Sequence, residues 1–401
     1  MMKLSVTTNF DDKLIEELKK YPVYEVYGKL QEDYIGGGRP SNTLKSVDKT
    51  RLEEHIKKVR DSNIKFNYLL NGACLANKEQ DVEWQKNVRE FLDYLKEIGV
   101  NALTVTNPFL LQIIKKYYDC FTVRISTFAC IDSYEKARYW EEMGADYICV
   151  DFVKINRDFK TLKYMVDNLK KAKIELLMTN SCLKNCPYIH THTAALSHAS
   201  NIMNKDKECY ADWCLYKCQE YELKHVEEYI KSPWIRPEDV KEYEKIGVEH
   251  FKITERDFPT NEIIKRVKAY SEGKYDGNLL DLIQGHGWSN SENDNNTIKN
   301  IDDFTSMNEI IKEICNVRGL GCERRYKRHI YIDNRKLDGF IKFFKDGHCT
   351  GNCLSCNYCK TIADKVIVKN DEDFNLVVRN KEKLIPYHEE NFAKFIEIYK
   401  N

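Results

Sequence analysis

A recurring phrase, in which a helix runs into a glycine and then a short apolar strand, constrains this chain more than any other feature. It occurs as Glu97-Ile98-Gly99-Val100-Asn101-Ala102-Leu103, as Glu142-Met143-Gly144-Ala145-Asp146-Tyr147-Ile148, and as Glu244-Lys245-Ile246-Gly247-Val248-Glu249-His250-Phe251. Glycine suits a left-handed helix end, and the compact, often β-branched runs that follow suit parallel strands buried on both faces. Eight such runs can be traced, at residues 4–8, 23–27, 66–70, 102–105, 121–126, 147–150, 174–178 and 250–253. Helical patterns lie between them at 11–20, 48–62, 81–98, 107–118, 133–143, 158–171 and 236–246, several opened by an Asp or Ser able to cap the first turn. The expectation is an α/β chain forming a (β/α)8 TIM-like barrel, with a doubly wound sheet as the alternative.

The phrase breaks after the seventh strand. About seventy residues, 180–249, separate it from the eighth. Barrels build their active sites at the C-terminal ends of their strands, so this insertion is expected to carry function. Beyond strand eight the pattern fades. The expected organisation is a barrel over 1–288, a polar linker at 289–300 and a small cysteine-rich domain at 301–401.

Fifteen of the 401 residues are cysteines. The first twenty residues hold no apolar leader core, and no run approaches the roughly 18 apolar residues a membrane span needs. A cytoplasmic protein with no membrane association is therefore expected, where clustered thiols bind metal more often than they form disulfides. Lys plus Arg and Asp plus Glu balance at 63 each, so no net basic charge advertises nucleic acid.

The insertion holds Cys182, Cys186, Cys209, Cys214 and Cys218 with His190, His192 and His198. Four thiolates gathered by loops can hold a tetrahedral zinc or a [4Fe–4S] cluster. The spacing does not match paired C-x2-C zinc hairpins, which favours iron–sulfur over zinc and over buried, inert thiols. A second group, Cys349, Cys353, Cys356 and Cys359, follows a C-x3-C-x2-C-x2-C spacing among Gly347, Gly351 and Asn352. It resembles a ferredoxin-type run, with zinc as the alternative metal. Cys315 and Cys322 could add a ligand. Cys74, Cys120, Cys130 and Cys149 read as packing thiols.

Gly36-Gly37-Gly38-Arg39-Pro40 follows strand two. Glycines permit close backbone approach, and Arg39 offers a fork for a carboxylate or phosphate. Other strand-end polar residues, Asn9, Asn71, Asn107, Ser126, Thr127, Asp151, Asn180, Lys252, Glu255 and Arg256, are expected to ring the same mouth. Taken singly, each is more simply a loop residue or helix cap. No G-x-S-x-G elbow, Walker loop, H-E-x-x-H or dinucleotide fingerprint appears in context.

With these residues assembled, the chain resembles peptidase family U32. The matching stretches are Gly38-Arg39-Pro40, Phe66 to Asn71, Val123 to Thr127, then Asn180, Cys182, Cys186-Pro187, His192, Cys214 and Cys218. They continue through Ser232 to Asp239, Phe251-Lys252-Ile253 and Tyr275 to Asn278, covering roughly residues 1–285. The resemblance implies a TIM-like barrel holding a [4Fe–4S] cluster through Cys182, Cys186, Cys214 and Cys218, with Cys209 as the substitute ligand. It also implies either oxygen-independent hydroxylation, of an RNA base or a small molecule, or the peptidase activity of the family's label. Only three residues separate the first two cysteines, and likewise the last two, so no particular substrate carries over. The C-terminal cysteine region, with Tyr331-Ile332-Asp333-Asn334, lies outside the common barrel.

The leading expectation is therefore a redox enzyme with two iron–sulfur clusters, with zinc as the alternative at the second. Candidate site residues are Arg39, Ser126, Asp151, His192 and Lys252, and an electron-donor protein is the expected partner. A peptidase is the alternative. A metal-stabilised RNA-binding protein is the third reading, resting on the basic run Arg324, Arg325, Lys327 and Arg328.

Overall fold

A computed structural model describes residues 2–41, 44–203, 213–256, 258–283 and 329–390. Eight parallel strands close into a barrel in sequence order. They are β1 (Lys3–Thr7), β2 (Val23–Gly28), β3 (Lys65–Leu70), β4 (Ala102–Val105), β5 (Thr122–Ile125), β6 (Tyr147–Cys149), β7 (Lys173–Leu177) and β8 (His250–Ile253). Closure comes where β1 pairs with β8, Leu4 opposite Phe251. A doubly wound sheet is thus excluded, and every predicted strand is present within a residue or two.

Around the barrel run α1 (Asp12–Leu18), α2 (Lys49–Asp61), α3 (Val82–Glu97), α4 (Pro108–Tyr117), α5 (Tyr134–Glu142), the short α6 (Phe152–Ile155) and α7 (Phe159–Asn168). The insertion adds α8 (Ile189–His198), α9 (Trp213–Lys224) and α10 (Glu228–Lys231), before α11 (Val240–Lys245) and α12 (Thr260–Glu272). The expected caps form: the side chains of Asp48, Asp81, Asn107 and Asp158 each accept from a first-turn backbone N–H. Gly99 and Gly144 close α3 and α5 at positive φ, 85° and 104°. A Cβ at Gly99 would lie 1.9 Å from the Arg60 guanidinium, so the position also permits a close contact.

The barrel interior is polar in one layer. Arg124 on β5 reaches Glu25 on β2 at 2.5 Å and Glu175 on β7 at 3.1 Å, all three buried. Glu25 also accepts from Ser5 at 2.8 Å and Asn67 at 3.0 Å. Burial works to raise the Glu25 carboxyl, but Arg124 and these donors outweigh it and hold Glu25 below its ordinary range. Burial raises Glu175. One arginine thus faces two carboxylates of unequal acidity.

The C-terminal segment packs on the barrel. Its strand β9 (Ile330–Ile332) pairs antiparallel with β10 (Ile367–Lys369). Ile330, Ile332, Leu337, Phe340 and Val366 belong to the same apolar cluster as the barrel strands. Buried Arg236 donates to Asn334 at 2.9 Å and to Asp338 at 2.9 Å. The helix Asp371–Glu390 lies against α9, burying Phe374 and Val377 on Leu223. The predicted linker at 289–300, with Cys315 and Cys322, lies outside the described residues. Among the described residues no helix is long and apolar enough to cross a membrane.

Candidate functional site

β7 ends in an apolar turn that fixes the insertion to its neighbour strand. Met178 N donates to Lys252 O at 3.0 Å, and the Thr179 and Thr254 hydroxyls meet at 2.8 Å. Asn180 follows, its side chain accepting from Thr254 Oγ1 at 3.3 Å. The chain then turns through Cys182 and Cys186 into α8, which lies across the barrel mouth.

The far end of α8 is sewn to the loops after β2 and β3. Gly37 N donates to Ser200 Oγ at 2.8 Å, Ser41 N to Ala199 O at 3.0 Å and Ala73 N to Ser197 Oγ at 2.7 Å. Asp33 and Asn201 form an isolated parallel bridge. Gly36 has φ +76°, and a Cβ there would lie 2.2 Å from Ser197 O. The glycine run is therefore the surface on which the insertion closes.

Behind those glycines lies a buried charged pair that sequence inspection missed. Lys29 and Asp33 form a wholly buried ion pair at 3.1 Å. Asp33 also accepts from Gly36 N at 2.8 Å and Tyr68 Oη at 3.2 Å. Burial lowers the Lys29 ammonium, against the pull of Asp33. A Cβ at Gly37 would crowd Asn71 Oδ1 at 3.1 Å and Lys29 Cδ at 3.2 Å. Nothing in the sequence separates Lys29 and Asp33 from solvated loop charges; only the fold buries them.

The predicted site residues fall at different depths. Arg39 donates to Glu255 at 3.0 Å and to Gly38 O at 2.9 Å. Ser126 Oγ accepts from Asn71 Nδ2 at 3.3 Å. Asp151 caps α6 through Val153 N at 3.2 Å, and burial raises its carboxyl, partly offset by Lys154. His192 is half-buried on α8. Lys252 lies lower, inside the barrel, its Nζ 3.9 Å from the centre of the Tyr27 ring, and burial lowers its ammonium against Glu175. Arg39 and Asp151 both act on the Cys182 thiol, whereas Lys252 belongs to the Arg124 layer.

Cys182 and Cys186 pack on Cys149, Phe152, Val153 and Leu177. Burial pushes the Cys182 thiol far up, Cys186 and Glu222 push it further, and Arg39 pulls it down. Cys214 and Cys218 lie one turn apart on α9. Tyr188, two residues after Cys186, meets the ring of Trp213, the neighbour of Cys214, edge-on at 5.9 Å. Its phenol is raised by burial, then by Cys218, Cys186 and Cys214, against Lys217. Cys186 from the loop and both thiols of α9 thus act on one tyrosine, and Cys182 acts on it through its neighbour Cys186 only. Four soft donors from two elements suit an iron–sulfur cluster in chemistry. Among the described residues no three His, Cys, Asp or Glu side chains already stand in coordinating register. Cys209 lies outside the described residues.

Cys130, expected to be a packing thiol, occupies a left-handed turn after β5, with φ 50° and ψ 51°. Its Sγ is 4.0 Å from His190 Nδ1. Burial pushes this thiol up to about 11, and Asp151 adds to that. Cys349, Cys353, Cys356 and Cys359 line one cavity of about 570 Å³ beside α6 and the Cys182–Cys186 turn. Of the basic run, Arg324, Arg325, Lys327 and Arg328 lie outside the described residues.

Residues 34–276 match the profile described as peptidase family U32. A Methanocaldococcus jannaschii protein named as an uncharacterized protease is 29% identical over 357 residues, spanning 88% of this chain and 92% of its own length. Among solved structures, that of a U32 peptidase aligns with TM-score 0.47 and 17% identity, over 64% of this chain and 93% of its own.

Proposed function

The chain belongs to peptidase family U32, and from that premise we propose an iron–sulfur enzyme that hydroxylates, without molecular oxygen, an RNA base or a small molecule at the barrel mouth. The observation that carries this reading is the grouping of Cys186, Cys214 and Cys218 about Tyr188, with Cys182 next to Cys186 and within the influence of Arg39 and Asp151. These thiols would hold the cluster, which when bound supplies one-electron chemistry.

The remaining work falls to the chain's own side chains. Arg39, steered by Glu255, presents a fixed cation to an anionic substrate group. Asn71 and Ser126 offer a hydrogen-bonding pair for a polar edge. Asp151, with its raised carboxyl, is suited to take a proton from the substrate or from water. α8 closes the mouth and limits water. Lys252 keeps the layer below neutralised, and His192 is positioned on the covering helix. With water as the oxygen source, hydroxylation releases two protons and two electrons per substrate. The partner class is therefore an electron-transfer protein; taking up these electrons would make it an acceptor rather than the expected donor.

The peptidase reading has one specific observation in its favour, the Cys130–His190 approach. Burial opposes it, because a thiol held near 11 is a poor resting nucleophile. Mass spectrometry of RNA and small metabolites from cells with and without the chain separates the two. The expected result is a product heavier by one oxygen atom, lost in a Cys182→Ser/Cys186→Ser variant. Peptide cleavage that survives this variant and disappears in Cys130→Ser would overturn it.

A further inference from the structure

Lys184 sits in sequence between Cys182 and Cys186, yet its Nζ donates to Cys349 Sγ at 3.4 Å. The neighbouring Asn185 makes this reach feasible. It adopts a left-handed φ of 55° and anchors the turn through Asn185 N to Val153 O at 3.2 Å. The turn therefore presents Lys184 and Asn185 to the wall of the C-terminal cavity while Cys182 and Cys186 stay on the barrel side.

Arg157 lines the same cavity. Its guanidinium donates to Ile230 O at 2.8 Å and Trp234 O at 3.1 Å, and lies 4.2 Å from the centre of the Trp234 ring. Among the described residues no carboxylate forms an ion pair with Arg157 or Lys184. Asp239 acts on Arg157 from outside ion-pair distance, and four neutral thiols would add no negative charge beside either cation. Four thiolates around a divalent metal, or around an oxidised [4Fe–4S] cluster, carry a net charge of about −2 and balance them.

We propose that Cys349, Cys353, Cys356 and Cys359 form a tetrathiolate metal centre and that Lys184, on the barrel's own cysteine turn, is its counter-cation. The two cysteine groups then share one structural element, and a change of charge at one is transmitted to the other through that turn. The centre stands without the function proposed above; the link between centres rests on the barrel thiols holding a cluster.

The test uses the full chain, purified anaerobically, with zinc, iron and sulfide measured per protein. Cys353 and Cys356 are exposed, so Cys353→Ser/Cys356→Ser removes two ligands without opening the apolar core. That variant should lose one centre's worth of zinc, or of iron with sulfide, and the assay tells these metals apart. Lys184→Met should release that centre's metal to a chelator about 10-fold faster than wild type, with Lys184→Arg restoring retention. Wild-type metal content in Cys353→Ser/Cys356→Ser overturns the centre. Wild-type release from Lys184→Met overturns the link. Iron lost from Cys182→Ser/Cys186→Ser reports the barrel cluster separately, so failure of one reading is distinguishable from failure of the other.

Discussion

Arg39 Nη2 meets Glu255 Oε1 at 3.0 Å, joining the glycine run after β2 to the end of β8. Glu255 is 1% exposed and Arg39 19%, so the pair has little water to fall back on. Glu255→Gln removes the negative partner from a mostly buried cation. The expected loss is about 1–3 kcal/mol in chemical denaturation. Arg39→Lys, which keeps the charge, should recover part of what Arg39→Ala loses; equal losses in the two would assign the effect to packing instead.

The Arg124 layer makes a sharper stability prediction. Arg124→Met leaves Glu25 and Glu175 buried together with Lys252 but without the arginine that bonds them both, and a cost of about 3–5 kcal/mol is expected. Adding Glu25→Gln and Glu175→Gln should restore much of that stability, because the uncompensated charges are then gone. Denaturant midpoints of the single and triple variants check this, and no recovery in the triple variant would contradict it.

The barrel was legible in the sequence because parallel strands buried on both faces are continuous apolar runs, and glycine marks three of the turns that precede them. The cysteine groups were legible because thiols at short spacings have few other uses. Lys29, Asp33 and Cys130 were not, since burial and left-handed geometry arise only when β2, β3 and α8 come together. Lys252 could be placed on a strand but not at a depth. The helices of the insertion were missed for a different reason: α8, IHTHTAALSH, shows no single apolar face, and two of its three buried residues, Thr193 and Ser197, are polar.

Gly36 and Gly339 form a natural comparison. Both have positive φ, +76° and +81°, but a Cβ at Gly36 would lie 2.2 Å from Ser197 O while Gly339 has open space. Gly339→Ala should cost about 1 kcal/mol from backbone strain alone. Gly36→Ala should cost several times that and lift α8 from the mouth, seen as faster proteolysis within the insertion. Equal costs would show that α8 is not seated on the glycine run.

Acid should weaken the fold through buried histidines. Burial pushes His55 and His250 down to about 4 from an ordinary 6.5. Between those values the unfolded chain binds more protons than the folded one. The stability they contribute is therefore complete above pH 6.5 and lost as pH falls through 4, on the order of 3 kcal/mol for each. Asp239, raised to about 6 by burial, runs the other way: its contribution is present at low pH and lost as pH rises through 6. Two histidines outweigh one aspartate, so stability should fall from pH 6.5 to 4, and His55→Gln/His250→Gln should flatten that slope.

The most direct measurement is iron and acid-labile sulfide per chain, with electron paramagnetic resonance of the reduced protein, on anaerobic wild type and on Cys214→Ser/Cys218→Ser. The expected wild type is brown, carries iron and sulfide in equal amounts, and gives a reduced-cluster signal that the α9 variant loses. A colourless wild type with stoichiometric zinc and no sulfide would contradict it.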